Sequence, residues 1–162
     1  MPTAELLEVS RLEDLPEWEE QCRKYGSKVV TIVRFVSLIS KDVSPEDEAE
    51  LAAKDRRAEA AAIATGKLDL YKKGTRNEDG VADNQCWWTD AAEARNVVHS
   101  PEHIAATRFM IERAMYEDFY IEIYDVERAE DGKLNLLLSR TMTKADLEAH
   151  ANPRYISDEI TV

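Results

Sequence analysis

Phe119-Tyr120-Ile121-Glu122-Ile123-Tyr124-Asp125-Val126 alternates large apolar with polar side chains. Leu134-Asn135-Leu136-Leu137-Leu138-Ser139-Arg140 follows it across Glu130-Asp131-Gly132-Lys133. Successive side chains of a strand face opposite ways, so a period of two marks a half-buried strand. A short turn containing glycine between two such runs predicts a β-hairpin. Antiparallel pairing at the C-terminal side, with helices between the earlier strands, predicts the α+β class: one mostly antiparallel sheet flanked by helices.

Working outward, Val29 to Ile39 is dense in β-branched residues and reads as a strand buried on both faces. Ser44-Pro45-Glu46-Asp47 has a cap residue, proline at the first helical position and an acid in the first turn. It predicts a helix to about Thr65, ended by Gly66. Lys67 to Tyr71 reads as a short strand, and Gly74 to Asn84 as a polar loop. Trp87-Trp88-Thr89 ends an extended segment, and Asp90-Ala91-Ala92-Glu93 forms a capping box that starts the next helix. Ser100-Pro101 starts another, with Ile104, Ile111 and Met115 as its apolar stripe, widened by Ala105 and Phe109. Thr143 to Asp146 opens a short helix, Pro153 breaks it, and Tyr155 to Val162 reads as a last strand. At the other end, Leu15, Trp18 and Cys22 repeat at helical spacing within Glu13 to Tyr25, and Gly26 stands at the C-cap. The expectation is a single domain over 1–162, with 1–26 a helical extension and 27–162 the core.

The chain has 162 residues, enough for one domain with a substantial core. Its 33 acidic against 21 basic residues give a net charge of −12. Such a surface repels phosphates and anionic membranes, which disfavours nucleic acid and lipid headgroups as partners. The charge either keeps the protein soluble or complements a protein partner with a basic surface. The acids are spread along the chain, which suits a general solvated surface. Cys22 and Cys86 show no metal-ligand spacing, and a secreted scaffold of this size would carry more cysteines, so a cytoplasmic location is expected. Val29 to Ile39, the longest apolar run, is too short to span a bilayer and contains Arg34.

A few residues stand out as candidates for chemistry. Trp87 and Trp88 adjoin a helix N-terminus, where free N–H groups and partial positive charge suit anions. They form either an aromatic wall of a nucleotide site or a plug between sheet and helix. Arg34, inside a β-branched run, is either ion-paired or an anchor for a phosphate or ribose hydroxyl. Glu159 is either a surface acid or a carboxylate that stabilises positive charge developing at a sugar carbon. His99 and His103 are separated by the helix start at Ser100-Pro101 and have no evident third metal ligand. There is no glycine-rich phosphate loop.

The order of strand with Arg34, helix, polar loop, Trp87-Trp88-Thr89-Asp90, helix, hairpin and last strand with Glu159 resembles the ADP-ribosyltransferase superfamily. That resemblance implies NAD as substrate. Arg34 would hold the dinucleotide, Trp87 or Trp88 would stack near the nicotinamide, and Thr89 would support the site. Glu159 would bind the ribose and stabilise the oxocarbenium-like transition state. Thr89 lies between Trp88 and Asp90, where many arginine-modifying relatives carry Ser-Thr-Ser. Ser157 stands where those relatives have a second acid, which argues against arginine as acceptor. The alternative is an acidic interaction or inhibitor protein, of the kind phages encode, binding a basic partner without catalysis.

Overall fold

The computed structural model describes residues 2–149. Five strands form one sheet: β1 (Thr31–Ile39), β2 (Leu68–Lys72), β3 (Val81–Trp88), β4 (Tyr116–Arg128) and β5 (Leu134–Thr143). Their order is β2-β3-β1-β4-β5, and every neighbouring pair is antiparallel. Three helices connect the first four strands. α3 (Pro45–Ala64) joins β1 to β2, while α4 (Ala91–Val97) and α5 (Pro101–Glu112) join β3 to β4. Without β5 this is a β-α-β-β-α-β unit with the order of the ferredoxin-like fold. The α+β class and the single antiparallel sheet expected from the sequence are what is found.

The helix starts follow local chemistry. Ser44 Oγ accepts from Asp47 N at 3.1 Å, Asp90 Oδ1 from Glu93 N at 3.0 Å, and Ser100 Oγ from His103 N at 3.3 Å. Each bond satisfies an N–H group left over at a helix start. The β4–β5 hairpin pairs Arg128 with Leu134 and Tyr120 with Thr143, around a turn in which Gly132 adopts φ +82°. That left-handed backbone is the reason for glycine there.

β1 pairs with β3 on one side and β4 on the other, so alternation along it sets the contents of both faces. Val33 and Phe35 face α3 and α5, within a core that includes Leu51, Phe109, Tyr116, Phe119 and Ile123. Ile32, Arg34 and Val36 face the opposite way, where residues 3–25 cross the sheet as a strap. The strap comprises α1 (Ala4–Leu7), a 3-10 turn (Leu12–Asp14) and α2 (Trp18–Tyr25). It plugs the face with Leu6 against Val36, Leu38 and Val81, and with Leu12 and Trp18 against Val29, Ile32, Trp87 and Tyr124. The Trp18 and Trp87 rings meet at 5.4 Å between centroids, tilted by 55°.

The structure departs from the sequence reading in three places. The helix expected over Glu13 to Tyr25 is split, with Pro16 in the break before α2. Val81 to Asn84, expected in a loop, begin β3. Asp83 and Asn84 pair with Val36 and Phe35 of β1, and that backbone pairing outweighs their polarity. On α5 the buried residues are Ala106, Thr107 and Phe109; Ala105 is exposed and Ile104 and Ile111 are half-buried. α5 packs on α3 as well as on the sheet, which turns its buried stripe towards the small side chains. The strand expected over Tyr155 to Val162, with Glu159, lies outside the described residues.

Arg34 is the largest polar group beneath the strap. Its side chain is 2% exposed. Nε and Nη2 reach Asp83 at 2.8–3.2 Å, Nη2 also donates to the Ser10 carbonyl at 2.7 Å, and Nη1 lies 3.6 Å from Glu122. A buried charge persists only when it is paired in this way. The Lys72–Glu17 pair also ties strap to sheet, but it is partly exposed. Asp83→Ala is therefore expected to destabilise the fold by about 3 kcal/mol, because it leaves the guanidinium short of its main partner. Glu17→Ala should cost less than about 1 kcal/mol. Urea unfolding of the two variants measures the contrast.

Candidate ligand cleft

Between the α3/α5 layer and the sheet lies a cavity of about 210 Å³. Its walls follow from the register. β1 supplies Val33 and Phe35, β3 supplies Asn84, Cys86 and Trp88, and α3 supplies Leu51, Asp55, Ala58, Glu59 and Ala62. Tyr71, Tyr116, His103, Thr107 and Met110 complete the part that matters chemically. Alanines on α3 and α5 leave the room: Ala58, Ala62 and Ala106 all line the space. Larger side chains there would fill it.

The lining is mostly apolar, and its polar groups are few and specific. On α3, Leu51, Asp55, Ala58 and Ala62 lie three or four residues apart and share the buried stripe. Asp55 is thus a carboxyl where the pattern calls for an apolar side chain. Glu59 sits one turn later on the same side. Neither carboxylate has an ion-pair or hydrogen-bond partner among the described residues. Burial pushes the Asp55 carboxyl up to about 6, and the Lys73 ammonium offsets this only in part.

The neighbouring groups are held in their neutral forms. Burial, reinforced by the charge on His99, holds the His103 imidazole down to about 4, so it is uncharged at pH 7. Its Nδ1 lies 3.5 Å from Thr107 Oγ1. Burial pushes the Tyr116 hydroxyl up to about 12, with Asp55 adding to the effect and Arg76 opposing it. Tyr71 is raised further, by burial first and then by Cys86, Asp55 and Glu59. Burial likewise pushes the Cys86 thiol up to about 12, with Glu59 adding to it, so Cys86 is a packing residue and not a nucleophile. Asn84 has a fixed orientation: its Oδ1 accepts from Gly74 N at 2.8 Å, which leaves its amino group as the free donor. Gly74 permits that approach, since a Cβ there would collide with the Asp83 backbone. Asp55, held near 6, changes charge close to neutrality, which suits general acid–base work.

The residues singled out from the sequence are not gathered in one place. Trp87 and Trp88 are neighbours in a strand and point to opposite faces. Trp87 is fully buried against the strap, with its indole N–H donating to Gln85 Oε1 at 3.0 Å. Trp88 lines the cleft and packs on Ala62 and Ala94. Thr89 bonds through its backbone N–H and its hydroxyl to the Lys67 carbonyl, closing the end of the β2–β3 pair. Arg34 is on the strap face with Trp87, across the sheet from Trp88. Glu159 is outside the described residues. Asp55, Glu59 and Tyr71 were not singled out, and His103 was weighed only as a metal ligand beside His99. The legible signal was Asp55 within the spacing Leu51, Ala58, Ala62.

Several solved structures resemble the chain. A cofactor-independent oxygenase from Streptomyces nogalater, SnoaB, is 15% identical, with 64% of this chain and 98% of that chain covered and a TM-score of 0.46. A putative antibiotic biosynthesis monooxygenase from Caulobacter crescentus is 15% identical, covering 68% and 99%, with a TM-score of 0.49. A hydroxynitrile lyase from Passiflora edulis is 14% identical, covering 63% and 97%, with a TM-score of 0.48. Identities and scores of this size say nothing of activity. No curated protein matches the chain. No helix among the described residues is long and apolar enough to cross a membrane.

The resemblance to ADP-ribosyltransferases is corrected by these findings, and NAD falls with it. None of the similar structures named above is described as an ADP-ribosyltransferase. The physical reason lies in Arg34: its donors are engaged by Asp83, Glu122 and Ser10 beneath the strap, on the far side of the sheet from the cleft. The family whose model matches, over residues 4–139, is the one described as PB2B2.08-like, and the chain belongs to it.

Proposed function

We propose that the cleft between the sheet and α3/α5 binds a small molecule with a largely apolar body, and that Asp55 moves a proton on it. The observation that carries this reading is a carboxyl with no salt bridge or hydrogen bond among the described residues, set into an apolar cavity of about 210 Å³. The space exceeds the ~150 Å³ that accommodates benzene in an apolar protein cavity, so a substituted single ring is a fitting size. A few polar groups in an apolar pocket is the usual composition of a ligand site. Asp55 accepts or donates the proton, while the neutral Tyr71 and Tyr116 hydroxyls and the Asn84 amide supply hydrogen bonds that orient the ligand. The second reading, a protein partner with a basic surface, rests on the net charge of −12. Exposed acids occur on the strap (Glu5, Glu8, Glu19, Glu20), on α3 (Glu46, Glu48, Glu50) and at the hairpin (Glu127, Glu130, Asp131), so no one face gathers them. The cleft carries the stronger case.

Screening of small aromatic fragments by NMR tests the reading. Binders are expected to shift the Trp88 indole signal and leave Trp18 and Trp87, on the other face, unmoved. A bound fragment with an acidic C–H should take up deuterium from solvent. Asp55→Asn is expected to slow that exchange by about 100-fold or more while changing Kd only a few-fold. Exchange that is unchanged in the variant would remove Asp55 from the reaction.

The same carboxyl links stability to pH. The Asp55 carboxyl in the folded chain sits near 6, above its ordinary 3.8, so it favours the protonated form. Its penalty is full above about pH 6 and relieved as pH falls towards 3.8. The His103 imidazole sits near 4, below its ordinary 6.5, so folding loses stability as pH falls through that window. The two slopes oppose each other between about pH 4 and 6. Asp55→Asn is expected to stabilise the protein at pH 7.5 by on the order of 2 kcal/mol. The same variant should lose stability more steeply than wild type on acidification to pH 4.5. Urea titrations at both pH values read the two effects.

A further inference from the structure

We infer that the ligand of the cleft is an organic cation, a protonated amine on an apolar body of about one ring. The inference rests on the cleft being a ligand site and adds the ligand's charge. Asp55 and Glu59 stand one helical turn apart on α3 and both line the cavity. Among the described residues no lysine or arginine lines it. Two cations act on lining residues from outside the space: Arg76 donates to the Gly80 carbonyl at 2.9 Å and meets the Tyr116 hydroxyl, and Lys73 acts on Asp55 from an exposed position beyond β2.

The remaining walls suit a cation as well. Phe35, Tyr71, Trp88 and Tyr116 surround the space with aromatic faces and edges. Aromatic faces attract a desolvated ammonium, tryptophan most strongly. A carboxylate in an apolar cavity gains most from an opposite charge brought to it, because it has given up water without a partner. An anion in the same place would meet two like charges and find no compensating base. The protein's net charge of −12 acts in the same sense at longer range, drawing cations towards the surface. Two carboxyls also allow a division of labour, in which one neutralises the ammonium while the other exchanges a proton with the ligand.

Three probes with one carbon skeleton isolate charge from shape: 3-phenylpropylamine, 3-phenylpropanol and 3-phenylpropanoate. Binding is followed by calorimetry on the full chain at pH 7.5, with the Trp88 indole signal locating the site. The amine is expected to bind at least 10-fold more tightly than the alcohol, and the carboxylate more weakly still. Glu59→Gln, nearly isosteric, is expected to reduce the amine-over-alcohol preference several-fold. Circular dichroism of the variant checks that it is folded. Equal or tighter binding of the alcohol at Trp88 overturns the cation inference and leaves the ligand cleft standing. Tighter binding of the carboxylate overturns it too. If none of the three perturbs Trp88, both the cation inference and the cleft reading fail. An amine preference that survives in the double variant Asp55→Asn, Glu59→Gln shows that these carboxyls do not select the charge, and that also overturns the inference.

Discussion

A central strand with apolar side chains on both faces has to be covered twice. β1 is that strand: Ile32 and Val36 are fully buried on one side, while Val33 and Phe35 pack into the core on the other. The β-α-β-β-α-β unit supplies only one cover, because both crossover helices lie on the same face. The second cover is the N-terminal strap, whose Leu6, Leu12 and Trp18 do for one face what α3 and α5 do for the other. Arg34 follows from the same constraint. It lies on the strap face and survives burial because Asp83 and Glu122 come from the strands on either side of it. The strap adds a carbonyl from Ser10, so the ion cluster and the strap depend on one another.

The two covers differ in how they fill space, and that difference makes the cleft. The strap is built of short elements that bring large side chains down onto the sheet, with Trp18 against Trp87. The helix layer brings alanines from α3 and α5, and these leave a void over Phe35, Cys86 and Trp88. An apolar void costs dispersion energy, and a carboxyl without a counter-ion costs more. Asp55 combines the two in one place. A position that lowers stability without helping to pack the fold is where function is expected to reside. Glu59, Tyr71 and the neutral His103 then set the electrostatics of a site whose described lining holds two carboxyls and no lysine or arginine.

The corrected resemblance has its own physical lesson. Element order alone is a weak guide, since strand, helix, strand, helix and hairpin recur in many α+β folds. What would distinguish them is which residues converge, and convergence depends on strand order and side-chain parity. Arg34 and Trp88 are each in a β-strand, as their local sequences indicated, yet parity places them on opposite sides of the sheet. The pairing of β1 with both β3 and β4 fixes that outcome.

The sequence by itself determined the local elements. Caps at Ser44, Asp90 and Ser100 are short-range chemistry within one turn, and the β4–β5 hairpin is alternation closed by Gly132. β1 was legible because eleven residues from Val29 to Ile39 carry so many β-branched side chains. The full extent of β3 was not legible, because Asp83 and Asn84 are polar and only their pairing with β1 makes them strand. Nor was the strap's place over the sheet, since an amphipathic helix states which face is apolar but not what it covers. The cleft was the least legible feature. Asp55 shows in the sequence as one acid in an alanine-rich helix that contains several. Only the packing of α3 over β1 and β3 decides that this one and Glu59 line an apolar void while Glu46, Glu48 and Glu50 face water.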